Sequence, residues 1–145
     1  MAGTIEDDPE LTAFLARIDA AQEEFAEGRP GDFKALWSHS DDVTLCGGLG
    51  GVVEHGWQSV AARLDWASNN YADAERSNQT ISGFVEGTLA YLVRKEIIEA
   101  TIGTGGARSR QELRVTMVLR HGDDGWRIVH RHADSQTSVS AKAKA

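Results

Sequence analysis

The first third of the chain carries apolar residues at helical spacing. Asp8 followed by Pro9 predicts an N-cap and a first helical residue, and apolar side chains then recur every three or four positions until Gly28. This pattern predicts a first helix over about 9–27. Asp32 can cap a shorter second helix.

A third helix is predicted from about Trp57, with Val60, Leu64 and Ala67 on one face. Trp66 falls outside that face, because successive helical residues turn by about 100° and place it roughly half a turn from Trp57. We expect the Trp66 ring to need other cover, such as a partner chain or a bound ligand.

After Arg76 the pattern changes to strand-like alternation. Four long stretches are separated by short glycine-containing turns, GT, GTGGA and GDDG. Strands joined by turns this short pair antiparallel. Helices followed by such strands predict an α+β domain, with the helices packed on one face of an antiparallel sheet.

The run CGGLGG, residues 46–51, follows a predicted short strand and could be a phosphate-binding loop. Such a loop needs a helix directly after the glycines, because the amides at the helix start hold the phosphates. Here VVEHG follows, with β-branched residues and no lysine at the required place. The run is therefore interpreted as a glycine-rich hairpin or bulge.

The last predicted strand, WRIVHRHAD, brings His130, His132 and Asp134 onto one face by simple alternation. With an even number of loop residues in GDDG, that face also carries the apolar residues of the preceding strand. The pattern predicts a closed sheet whose interior contains both histidines and the aspartate. Arg127 and Arg131 are expected on the outside.

Three interpretations of this trio stay open. An imidazole can exchange a proton near neutral pH, and Asp134 could orient it for acid–base chemistry. His130 and His132 could instead bind a metal, with Asp134 or His55 as a third ligand, although the chain offers no cysteine pair and no second histidine pair. The third interpretation is structural, with the rings hydrogen-bonded inside a partly polar core.

Composition narrows the class of protein. The chain has 145 residues, 41% of them hydrophobic and 26% charged, which is typical of one soluble globular domain. A net charge of −7 opposes nucleic-acid binding, and no apolar run is long enough to span a membrane. The acidic start does not resemble a signal peptide, so we expect a cytoplasmic protein. Cys46, the only cysteine, cannot form an internal disulfide.

Three stretches resemble the SnoaL-like, ketosteroid-isomerase-like branch of the NTF2-like superfamily: ALWSHSDDVTLCGGLGG, GWQSVAARLDWAS and LRVTMVLRHGDDGWRIVHRHAD. The most specific part is the closing W-x-x-x-H-x-H strand, at Trp126, His130 and His132. The resemblance implies an NTF2-like cone, in which N-terminal helices pack on a strongly curved antiparallel sheet around an apolar pocket. It also implies a homodimer formed through the outer sheet face.

The resemblance covers residues 9–136, and we expect residues 1–8 to be a flexible N-terminus and 137–145 a disordered tail. The superfamily includes isomerases, dehydratases and polyketide cyclases as well as binding modules. Neither the Asp and Tyr set of the isomerases nor the Arg and paired Asp set of the epoxide hydrolases is matched here.

The leading hypothesis is binding of a small, largely apolar molecule in the cone, with or without proton-transfer chemistry of the dehydratase, isomerase or cyclase kind. His130 and His132 would act as acid or base and as polariser, and Asp134 would orient an imidazole. We expect no metal and no cofactor. The alternative is a non-catalytic dimeric binding or assembly module. The residues expected to line the pocket are Trp37, Trp57, Tyr91 and Met117.

Overall fold

The three helices form where the apolar spacing predicts them. In a computed structural model that describes residues 2–136, the Asp8 side chain caps the first helix by accepting a hydrogen bond from the Leu11 N–H at 3.0 Å. The second helix begins after Pro30, so Asp32 lies inside it rather than at its cap. Within the described residues, no helix combines the length and apolar character needed to span a bilayer. The helices are α1 (Pro9–Ala26), α2 (Gly31–Ala35) and α3 (Trp57–Asn69).

Within residues 2–136, seven strands occupy much of the chain outside the helices. Four of them are long and follow α3, as the alternating pattern predicts, and three are short. The strands are β1 (Ala2–Thr4), β2 (Thr44–Cys46), β3 (Glu54–His55), β4 (Tyr71–Glu86), β5 (Leu89–Ile102), β6 (Arg108–Gly122) and β7 (Gly125–Ser135).

The strands form one sheet in the order β1-β4-β5-β6-β7-β2-β3. All neighbours pair antiparallel except β2 and β7, which run parallel. Register shifts within β4 and β7 mark bulges, and bulges bend strands and so curve the sheet. The predicted α+β cone is confirmed, but the sheet is open rather than closed, since β1 and β3 remain as its edges.

A bulge in β7 overturns the predicted orientation of its end. Val118 pairs with His130 and Leu119 pairs with Ile128, so Val129 is an extra residue in β7. One extra residue exchanges the two faces of everything that follows it. The prediction that His130, His132 and Asp134 face the interior is therefore wrong.

The same bulge turns Arg131 towards the interior. Its neighbour across the sheet is the fully buried Met117, and Arg131 itself is buried. The prediction that Arg131 lies outside is wrong. Before the bulge the predicted alternation holds, since Trp126 and Ile128 are both buried in the core.

The N-terminal segment is part of the fold. Within the segment expected to be flexible, residues 1–8, β1 pairs with the end of β4, and residues 5–7 form one 3-10 turn with a buried Ile5. The tail predicted to be disordered, residues 137–145, lies outside the described residues.

The core lies between the helices and the inner face of the sheet. Apolar side chains of α1, α2 and α3 meet alternate residues of β5, β6 and β7. Its largest fully buried apolar side chains are Leu11, Ile18, Phe33, Trp37, Val43, Val60, Leu92, Leu113, Met117, Leu119 and Ile128.

Gly83 is a tight point in this packing. A Cβ atom there would collide with Ile5 Cδ1 and lie 2.7 Å from the Tyr91 carbonyl oxygen. Gly83→Ala should therefore lower the free energy of unfolding by about 1–3 kcal/mol. Gly122→Ala, which adds its methyl to open space, should change it by less than about 0.5 kcal/mol. Equal urea midpoints for the two variants would contradict this packing.

Candidate functional site

A fully buried carboxylate lies among three arginines inside the cone. Arg131 donates to both Glu96 oxygens, from Nη2 to Oε1 at 2.8 Å and from Nη1 to Oε2 at 3.0 Å. Arg94 Nε donates to Oε2 at 2.9 Å, and Arg76 Nη2 lies 3.4 Å from Oε1. These four residues are called the buried arginine cluster. Bidentate geometry makes the Arg131 contact its strongest pair.

Local strand geometry explains how the cluster assembles. Arg94 and Glu96 follow each other on the inner face of β5, whose even-numbered residues from 90 to 100 are all buried. Arg76 on β4 pairs with Ile98 of β5, one position along the same face. The bulge at Val129 turns Arg131 of β7 inward to meet them.

Helix α1 completes the cluster through Gln22. Its Oε1 accepts hydrogen bonds from Arg94 Nη2 and from Arg76 Nη2, the latter at 3.3 Å, and its Nε2 lies 3.4 Å from Glu96 Oε2. A buried amide with donors and acceptors on both sides satisfies its own polar groups. The cluster therefore ties α1 to the sheet.

The arginines decide the ionisation of Glu96. Burial alone would raise its pKa, but Arg131, Arg94 and Arg76 outweigh burial and hold the pKa of Glu96 well below its usual range. Nearby, burial raises the pKa of Tyr71 to about 12. Its hydroxyl donates a hydrogen bond to Gln111 Oε1 at 2.7 Å. At neutral pH the site thus contains an ionised carboxylate and a neutral phenol.

The cluster has more positive than negative charge. Three guanidinium groups meet one fully buried carboxylate, and the further acidic partners Asp19 and Glu23 are about half exposed, at 49% and 61%. Burial, opposed by Glu96 and reinforced by the other arginines, lowers the pKa of Arg76, as expected of a cation with too little negative charge around it.

One donor of the cluster is unused. Arg76 Nη1 is buried without a hydrogen-bond partner among the described residues, and the Glu23 carboxylate approaches it only to 3.9 Å. A buried charged donor without an acceptor is costly, so an acceptor from outside the protein would be favourable here.

A cavity of about 50 Å³ opens beside the cluster. Arg76, Glu96, Arg131, Gln22 and Tyr71 form its polar wall. Residues 47–49 and Arg63 cover it from the side of α3. The main apolar wall is formed by Phe25, Phe33, Leu45, Leu64, Ile98 and Leu113.

The trio singled out from the sequence lies on the other face of the sheet. His130 is half-buried, and its Nδ1 lies 2.7 Å from Thr44 Oγ1. Asp134 accepts two hydrogen bonds from Arg114, at 2.8 and 3.0 Å, while His132 Nε2 is 3.9 Å from it. Burial and then the charge of His132 lower the pKa of His130. Catalytic roles for the trio stay untested predictions.

The four expected wall residues are not brought together around the cavity. Trp37 is buried in the core, 6.4 Å from the ring of Trp57, which itself stacks on His39 at 3.9 Å. Tyr91 lies on the outer face beside Phe84. Met117 is fully buried, with its sulfur 3.8 Å from Arg131 Nη1, and so borders the cluster.

Sequence reasoning missed the arginine cluster, although part of its signal was present. In LAYLVRKEIIEATI, alternation puts Arg94 and Glu96 between Leu92 and Ile98, which places two charges on a face flanked by aliphatic side chains. Arg131 gave no such signal, because only the bulge turns it inward.

The metal interpretation finds no support in the geometry. Among residues 2–136, no three or more histidine, cysteine, aspartate or glutamate side chains are grouped so that they could hold a metal ion. His55 is on β3, and its partner in the sheet is Thr44.

Solved structures place the fold. An NTF2-like superfamily protein from Salmonella enterica serovar Typhimurium has a TM-score of 0.74 at 18% identity, covering 94% of this chain and 95% of the other. A ketosteroid isomerase-like protein from Erwinia carotovora atroseptica has a TM-score of 0.71 at 16% identity, covering 90% and 99%. The architecture is therefore that of the NTF2-like superfamily, and identities this low show the fold alone.

A third similar structure, from Thiobacillus denitrificans, is provisionally described as a calcium/calmodulin-dependent protein kinase type II association domain. Its TM-score is 0.70 at 23% identity, covering 89% of this chain and 95% of the other. No curated protein matches the chain in sequence. The sequence profile of the SnoaL-like domain matches residues 15–136, and the chain belongs to that family.

The charge balance of the cluster makes Glu96 critical for stability. Glu96→Gln leaves three guanidinium groups without their central counter-charge and should cost about 3–5 kcal/mol of unfolding free energy. Glu112→Gln is the matched control, because Glu112 is paired with Lys95 and Arg110 but lies on the outside. Urea unfolding at neutral pH measures both; a similar, small loss in each would contradict a central role for Glu96.

Acid provides a second readout of the same group. Because the pKa of Glu96 in the folded protein lies below its ordinary value of 4.5, the unfolded chain binds the proton first as the pH falls. The contribution of Glu96 is therefore complete above pH 4.5 and is lost as the pH falls towards its folded pKa. The Glu96→Gln variant should lose stability less steeply over that interval than the unmodified protein.

Proposed function

We propose that the cavity binds a small carboxylic acid through the buried arginine cluster. The observation that carries this proposal is that Arg76, which lines the cavity, has a buried guanidinium nitrogen, Nη1, with no acceptor among residues 2–136. A carboxylate is an acceptor that matches a guanidinium in charge and geometry. It would also offset positive charge that Glu96 alone does not balance and that Asp19 and Glu23 meet only from partly exposed positions.

The size of the cavity favours a short molecule. Pockets for drug-sized ligands measure about 300–1,000 Å³, whereas one water needs about 10–15 Å³ of such space. At about 50 Å³, the cavity lies well below the drug-sized range, so a short molecule suits it better than a drug-sized one. A short hydrocarbon chain would contact Phe33, Leu64 and Leu113, so the largely apolar ligand expected from the sequence becomes a short acid with an apolar body.

Binding is favoured over proton transfer by the ionisation of the wall. A general base works best with a pKa near the working pH. The pKa of Glu96 is far below neutral and that of Tyr71 is raised to about 12, so the first stays ionised and the second stays protonated. No histidine of the described residues lines the cavity. These properties support the non-catalytic binding module over the dehydratase, isomerase or cyclase hypothesis.

Calorimetric titration with propionate and with its neutral isostere propionamide tests the proposal. We expect only propionate to bind. Arg76→Gln should weaken propionate binding about tenfold or more, because a hydrogen bond to a charged group contributes about 1.5–3 kcal/mol. Arg110→Gln, which removes an exposed arginine paired with Glu99, is the matched control and should bind propionate normally.

Variants of the two outer-face histidines distinguish this proposal from the hypothesis that His130 and His132 form the working site. His130→Gln and His132→Gln should leave propionate binding unchanged, since their side chains lie on the opposite face of the sheet from the cavity. Equal binding of propionate and propionamide, or loss of binding in the histidine variants alone, would refute the arginine site.

We also propose that the chain forms a homodimer through its outer sheet face. Ile81, Leu89 and Phe84 are 60%, 51% and 37% exposed, and the last two border a groove with Tyr91 and Val118. Adjacent exposed apolar side chains of this size are typical of protein contacts. A symmetric pair would cover the same patch on both copies.

Sedimentation velocity measures this association. The unmodified protein should sediment as a dimer at micromolar concentration, and Leu89→Lys, which places a charge in the patch, should shift it to monomer. Asp124→Lys introduces a lysine at an exposed position that does not line the groove and should leave the dimer in place. A monomer of 15.7 kDa for the unmodified protein would disprove the dimer.

A further inference from the structure

The glycine-rich run found in the sequence closes one side of the cavity. Residues 47–51, called the glycine loop, follow β2 and contain a turn in which the Gly50 N–H donates to the Gly47 carbonyl at 3.0 Å. Gly47, Gly48 and Leu49 line the cavity. A Cβ atom on Gly48 would lie only 3.0 Å from Leu113 Cδ1, so the backbone itself packs against the cavity wall.

The glycine loop is wrapped around Arg63 of α3. Arg63 Nη2 donates to the Gly50 carbonyl oxygen, and the guanidinium carbon lies 4.2 Å from the centre of the Trp66 ring. A Cβ atom on Gly47 would lie 3.3 Å from Arg63 Nε, and one on Gly51 would lie 3.2 Å from Nη1. The guanidinium is thus held against the Trp66 ring, with glycine backbone at close approach.

Arg63 carries a charge that the described residues do not neutralise. Within residues 2–136 it forms no ion pair with a carboxylate, and its contacts are a neutral carbonyl and an aromatic ring. Among residues 2–136, Arg17 and Arg127 also form no ion pair, but neither of them lines the cavity. Carboxylate partners are present for Arg29, Arg76, Arg94, Arg108, Arg110, Arg114, Arg120 and Arg131. Yet Arg63 lines the same cavity as Arg76 and Arg131.

The cavity therefore has a positive group on two walls. Arg76 and Arg131 approach from the sheet, on β4 and β7, and Arg63 approaches from α3. The positive charges of all three act on the Tyr71 hydroxyl, which is consistent with their gathering around one small space. A ligand with one anionic end could satisfy only one of these walls.

Resting on the carboxylic-acid site proposed above, we propose that its preferred ligand is a short dicarboxylic acid. One carboxylate meets Arg76 beside the buried arginine cluster, and the other takes the place of the Gly50 carbonyl as an acceptor for Arg63. The aliphatic link between them contacts the apolar wall. Arg63 is then a specificity-determining residue, and the glycines serve to hold its guanidinium at the cavity.

Titration calorimetry of the full chain with malonate, succinate and propionate tests this assignment. At least one dicarboxylate should bind about tenfold more tightly than propionate, because a second charged hydrogen bond is gained. Arg63→Gln should remove that preference while leaving propionate affinity within about twofold. Arg110→Gln should retain the full preference.

Arg63→Lys covers the case in which the glutamine variant does not fold. Lysine keeps the charge, so it should keep a severalfold preference for the dicarboxylate. If a folded lysine variant loses the preference for the dicarboxylate, Arg63 does not bind the second carboxylate and the inference is overturned. The same holds if a folded glutamine variant keeps that preference.

The failure of this inference differs from the failure of the carboxylic-acid site. If propionate and the dicarboxylates bind the unmodified protein equally, the dicarboxylate assignment is wrong and the arginine site stands. If none of the three binds, both are wrong.

Discussion

The interior of this protein is organised by the need to keep one carboxylate charged away from water. Removing an ion from water costs several kcal/mol, and only a dense set of partners offsets that cost. Glu96 obtains its partners from four directions: Arg94 beside it on β5, Arg76 from β4, Arg131 from β7 and Gln22 from α1. One side chain thus links four elements that also share the apolar core and, for the strands, the pairing of one sheet.

Features with a local cause could be predicted from the sequence. The start of α1 follows from an aspartate, a proline and the apolar spacing after them, and all three act within a few residues. The four long strands follow from alternation interrupted by glycine turns. The glycine-rich run was correctly interpreted as part of a hairpin, because β2 and β3 on either side of it pair antiparallel. The family resemblance supplied the curvature that no local pattern contains.

The site was harder to predict because its causes are not local. Whether His130 or Arg131 faces inward depends on one extra residue at Val129, and that bulge arises from pairing with a different strand. On β5 the alternation was visible, but both faces mix charges with apolar groups: Lys95 stands between Val93 and Ile97 as Glu96 stands between Arg94 and Ile98. The alternation of side chains alone does not show which face of a strand is buried when neither face is wholly apolar.

The bulge at Val129 also decides which side chains at the end of β7 face the interior of the cone. With the bulge present, the guanidinium of Arg131 faces the interior, where it attracts anions. Deletion of Val129 would turn Arg131 outward and His130 and His132 inward. The interior would then contain imidazoles, which can exchange protons near neutral pH or bind transition metals. Relatives that share the W-x-x-x-H-x-H strand could therefore differ completely in pocket chemistry through the presence or absence of one bulge. The register of the last strand, rather than the sequence motif alone, would therefore distinguish relatives with different pocket residues.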